Sequence, residues 1–100
     1  MPVFFCKLVP PRSSFVQDIT ASEKEVMSRH AQYWQGVIEQ GTQVFALGMV
    51  LDPVGAFGIG IVETESEAAT RALTDNDPAI RAGLGMHYEI HLISRGVMHS

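Results

Sequence analysis

The chain has a single cysteine, Cys6, among its 100 residues. No disulfide can close within it, which fits a reducing compartment. Cys6 lies inside an apolar run and suits a small core side chain better than a nucleophile. Clustered positive charge is also missing: the seven Lys and Arg residues are scattered and the formal net charge is −4. Nucleic acid is a poor partner for such a surface, because neutralising phosphates needs grouped cations. No apolar stretch approaches the roughly 20 residues of a membrane span, and no basic start leads into the long apolar segment of a signal peptide. Nor does a glycine-rich turn open a helix. "GAFGIGIVE" contains Gly58 and Gly60 but reads as a strand, so a dinucleotide or phosphate loop is not supported. A cytoplasmic domain without membrane or nucleic-acid partners is the expectation.

Apolar residues are plentiful, at 46% against 18% charged, slightly above an average soluble domain. One hundred residues suffice for one domain with one core, spanning 1–100, and the surplus apolar surface suits an oligomer interface. "PVFFCKLVP" reads as a first strand, with Val3, Phe5 and Val9 on one face and Phe4, Cys6 and Leu8 on the other. "PPRSSFVQDIT" reads as a loop. Thr20 and Glu23 form a capping-box pattern that opens a helix running to Gly41. "TQVFALGMVL", the turn "DPVG" and "AFGIGIVE" make a hairpin, with Gly58 and Gly60 on one face. "TESEAATRAL" is a second helix, opened by a similar box at Thr64 and Glu67. "MHYEIHLIS" is the last strand, its core face carrying Met86, Tyr88, Ile90 and Leu92, and "RGVMHS" a tail.

The order βαββαβ implies a ferredoxin-like α+β sandwich: one antiparallel four-stranded sheet with both helices on one face. The first strand is apolar on both sides, so the uncovered face is expected to meet a second subunit in a homodimer.

The first helix poses the sharpest question. At about 100° per residue, Val26, Met27, His30, Ala31, Tyr33, Trp34, Val37 and Ile38 share an arc of roughly 160°. His30 stands near its middle. A buried imidazole needs partners for its ring nitrogens, since an unsatisfied one costs roughly 1–3 kcal/mol. Two readings remain open here: a core histidine satisfied by a backbone carbonyl, or an acid–base group at the bottom of a pocket, oriented by a carboxylate. "DNDPAI" offers Asp75 and Asp77, of which Asp77, ahead of Pro78, is equally a helix N-cap.

The set "PPRSSF", "RHAQYW", "GTQVFALGMVLDPVGAFG", "SEAATRAL", "DPAIRAGL" and "YEIHLI", in this order and almost end to end, resembles the YCII-related domain family, small ferredoxin-like dimers of the dimeric α/β-barrel group. That resemblance implies an enzymatic role and a His–Asp dyad, at His30 and Asp77. A segment that often continues Gly-Pro in the family is Gly48–Met49 here, so Gly48 marks a pocket wall that departs from the pattern.

In a dyad of this kind Asp77 fixes the tautomer, and the other nitrogen of His30 exchanges a proton with the substrate. Neither a nucleophile nor a cofactor is required. The chemistry suits isomerisation or elimination; the resemblance implies an isomerase or a lyase of the dehydrochlorinase type acting on a small cyclic or aromatic organic acid. Arg12 is the candidate to grip such an anion, with Phe15 and Trp34 as apolar wall and Ser66 near the ligand or capping the second helix. His87, Glu89 and His91 alternate along one strand face in a metal-like spacing; they read as a polar row near the dimer interface, and no metal is assigned. The alternative to an enzyme is a ligand-binding or accessory module in which His30 is structural.

Overall fold

The computed structural model describes residues 1–94, 96 and 97, so of the expected tail at 95–100 only Gly96 and Val97 fall within it. Among the described residues eight elements follow one another: β1 (Val3–Val9), α1 (Phe15–Asp18), α2 (Ala21–Glu39), β2 (Gln43–Val50), β3 (Phe57–Glu63), α3 (Glu67–Asp75), α4 (Pro78–Arg81) and β4 (His87–Ile93). The four strands form one antiparallel sheet in the order β2-β3-β1-β4, the ferredoxin-like arrangement. No helix among the described residues is long and apolar enough to cross a membrane.

Strict alternation in β1 sorts its two faces. Phe4, Cys6 and Leu8 are buried against the helices, while Val3, Phe5, Lys7 and Val9 stay half-exposed on the other side. Two clusters fill the helix side: Phe4 and Cys6 meet Trp34, Val37 and Val62, and Leu8 meets Phe15, Ala79 and Met86. Burial pushes the Cys6 thiol up to about 11, with Arg71 drawing it back somewhat, so it is a neutral core side chain at physiological pH.

Long helix α2 begins as its sequence dictates. The Thr20 side chain accepts from the Glu23 N–H and the Glu23 carboxylate accepts from the Thr20 N–H, a complete capping box. It ends before Gly41, whose φ of 100° only glycine adopts freely. The arc expected to be buried is tilted: Val26, Trp34 and Val37 are buried, but Ala31 and Ile38 on one flank are exposed.

Three expectations need correction. The segment read as a loop after Pro11 holds the short helix α1, because buried Phe15 anchors it and Asp18 accepts from the Ser14 hydroxyl. Helix α3 is capped by Ser66, which accepts from the Ala69 N–H. Thr64 cannot cap it: its N–H bonds Pro2 as an extension of the sheet, and its buried hydroxyl pairs with Thr70 at 2.6 Å. Leu92, expected in the core, is 58% exposed, since β4 is an edge strand.

Arg12 ties α1 to the start of α2. Its guanidinium bonds Asp18 at 2.7 Å and both oxygens of Glu23 at 2.8 Å. Hydrogen bonds from Arg12 and then from the Thr20 N–H hold the Glu23 carboxyl down, from an ordinary 4.5 to about 2. A carboxylate lowered on folding stabilises the native state fully above its ordinary value and ceases to do so as pH falls through the folded one. Glu23→Gln should therefore be less acid-sensitive: between neutrality and pH of about 2 to 3, urea unfolding should show wild type losing its advantage over the variant. Parallel stability–pH curves would contradict this role.

Candidate functional site

One carboxylate gathers the site. Asp77 is the N-cap of α4, its Oδ1 accepting from the Ala79 N–H at 2.9 Å, and Pro78 at the first helical position favours the turn. The cap explains the backbone but leaves Oδ2 facing α2, the helix that α4 packs against. There Oδ2 accepts from three side chains: His30 Nδ1 at 2.7 Å, Trp34 Nε1 at 2.9 Å and the Tyr88 hydroxyl at 2.5 Å. The Trp34 N–H is shared with the Tyr88 oxygen at 3.2 Å. Asp77 is fully buried, and no buried side-chain polar atom among the described residues lacks a partner.

This geometry sets the protonation states. Burial pushes the Asp77 carboxyl up, but hydrogen bonds from His30, Tyr88 and the Ala79 N–H outweigh it and hold the group below its ordinary value. Burial, followed by the charge and hydrogen bond of Asp77, drives the Tyr88 hydroxyl far above the ordinary tyrosine value. An ionised carboxylate only accepts, so Nδ1 of His30 carries a hydrogen, and in the neutral ring Nε2 then holds the free lone pair. Nε2 has no hydrogen-bonding partner among the described residues, and the His30 side chain is 22% exposed.

His30 lines a cleft of about 490 Å³ between α1, α2 and the β2–β3 hairpin. Its floor exists because side chains are missing: a methyl on Gly58 would meet Leu8 Cβ at 3.2 Å, and one on Gly60 would meet Leu47 Cδ2 at 3.3 Å. A β-bulge between Val44 and Ala46 reverses the alternation of β2. Leu47 and Met49 thereby pair with Gly60 and Gly58 and come to lie over them as a wall. Phe15, Met27, Trp34 and Met86 complete the apolar lining.

The sequence-derived candidates divide accordingly. His30, Asp77 and Trp34 are directly bonded; Phe15, Trp34 and Gly48 line the cleft. Arg12 does not line it: the guanidinium sits 5.3 Å from the Phe15 ring, consumed by Asp18 and Glu23. Ser66 is spent on capping α3 and also lies outside. Tyr88 is a site residue that sequence reasoning places only in the core. A tyrosine on an inward strand face needs an acceptor for its hydroxyl, and that signal points to a buried carboxylate. His87, Glu89 and His91 lie on the other sheet face. His87 and His91 are four residues apart on a strand, about 13 Å between Cα atoms, and His91 stacks on Phe5. Among the described residues no three His, Cys, Asp or Glu side chains converge as metal ligands.

Removing the acceptor should be far worse than removing one donor. Asp77→Ala strands the Tyr88 donor, leaves Trp34 only its long bond to the Tyr88 oxygen, and should cost about 3–5 kcal/mol in urea unfolding, against about 1–2 kcal/mol for Trp34→Phe. Similar losses for both would mean that Asp77 is not the organising group.

A search of curated proteins found no match to the chain. The YCII-related domain matches residues 3–94, nearly the whole sequence and every strand and helix described above. The chain belongs to the family of YCII-related domain proteins.

Proposed function

We propose that this protein is a small enzyme in which His30, oriented by Asp77, transfers protons on a ring-shaped organic molecule, as an isomerase or as a lyase of the dehydrochlorinase type. The observation that supports it is a histidine bonded through Nδ1 to a buried carboxylate, with its ring on an apolar cleft. A proton leaving substrate carbon would pass to Nε2, and the imidazolium so formed would be stabilised by Asp77 2.7 Å from Nδ1. Trp34 and Tyr88 would keep the carboxylate in place while the ring changes charge. No cofactor enters the scheme.

A purely structural histidine is the weaker reading, because such a residue has no use for a cleft of this size beside it. His30→Gln should fold normally and lower turnover by about 10²–10⁴-fold, the usual contribution of an acid–base group. Solvent-deuterium exchange into a panel of cyclic carbon acids, followed by NMR, would read this; full activity in the variant would reject the proposal.

The working unit is proposed to be a homodimer, formed on the face that carries half-buried Val3, Phe5, Val9, Ile59 and Ile61. The lone buried Cys6 is the support for a cytoplasmic setting. Ile61→Lys should shift the mass in sedimentation experiments from dimer to monomer; a monomeric wild type would reject the dimer.

A further inference from the structure

We infer that the cleft takes an uncharged carbon acid, a ring-sized molecule such as a cyclic ketone, and selects against organic anions. The inference deepens the acid–base reading of His30 and rests on it for the chemical step, but its argument is electrostatic. Among the described residues that line the cleft, none is Lys, Arg, Asp or Glu. The His30–Asp77 pair carries a charge of −1 when the ring is neutral and zero when it is protonated, so in neither state does it offer net positive charge. Behind Phe15, Arg12 is matched against two carboxylates, Asp18 and Glu23, and that cluster sums to −1. Lys7 stands on the opposite sheet face, its ammonium 4.4 Å from the centre of the Phe57 ring.

A carboxylate entering this space would give up its hydration and, among the described lining residues, would meet no cation except an imidazolium already matched by Asp77; burial of a poorly paired charge costs several kcal/mol. A neutral ketone loses little on entry and is apolar over most of its surface. The Gln35 amide at the cleft lining is a neutral group able to bond its oxygen. During turnover the C–H bond breaks, the proton passes to Nε2 and the electron pair moves into the carbonyl as an enolate. Reprotonation from the same nitrogen, at this carbon or another, restores His30. Total charge within the site is unchanged throughout, and no oxidant, reductant or co-reactant is needed. Negative charge on the substrate thus arises only as its counter-charge forms on the neighbouring ring.

The experiment compares two bicyclic probes of similar size, 2-tetralone and tetralin-2-carboxylate, by calorimetry on the full chain near neutral pH. The ketone should bind at least about tenfold more tightly, a difference of about 1.4 kcal/mol. Equal or tighter binding of the carboxylate, or no binding of either at millimolar concentration, overturns the inference. Gly60→Val fills the floor and Ala31→Phe fills the cleft from an exposed position on α2. Each should weaken ketone binding by about tenfold, and unchanged affinity in both folded variants would place the ligand elsewhere and also overturn it. The catalytic reading fails separately: deuterium exchange into the bound ketone that persists in His30→Gln removes proton transfer from His30 while the preference for neutral ligands stands.

Discussion

The burial of the Asp77 carboxylate is the constraint around which this small protein is arranged. A buried anion is tolerable only where donors replace its water, and here four do so: three side chains from α2 and β4, and an N–H of its own helix turn. Each of those donors is thereby fixed in return. His30 acquires one tautomer, Trp34 is locked in the core, and Tyr88 stays protonated and held in place. The same group that caps α4 therefore joins α2, α4 and β4.

Around that anion the site is built by subtraction. Gly58 and Gly60 leave a floor without side chains, and the bulge in β2 turns Leu47 and Met49 over it. Arg12 contributes at one remove: by pairing with Asp18 and Glu23 it holds α1, and with it Phe15, at the side of the cleft. Its charge is used in that clamp, and the cleft beside it is lined mostly by apolar residues, with His30 among the lining.

Several elements are legible in the sequence because their causes are local. The Thr20–Glu23 box, Gly41 at the end of α2 and the strict alternation of β1 each depend on neighbours within a few residues. The inward position of His30 follows from helical periodicity in the same way. Thr64 and Leu92 mislead for the complementary reason. The Thr64 N–H is taken by Pro2, 62 residues earlier at the start of the chain, and Leu92 is uncovered because of where its strand falls in the sheet. Neither cause is present in the residues around them.

Periodicity, capping and turn chemistry in the chain are enough to specify the order of the main elements and the faces of β1 and α2, because these act over one or two helical turns or strand repeats. The pairing of His30 with Asp77 joins residues 47 positions apart, and in the sequence only a family resemblance connects them. Folding alone brings α4 against α2, adds Tyr88 from β4 and commits Arg12 to Glu23 instead of to a ligand. The β2 bulge belongs with these, since one extra residue in a strand is defined only by the partner it is paired with. Contacts of that kind depend on which distant donor reaches a given acceptor, and that is a property of the packed molecule.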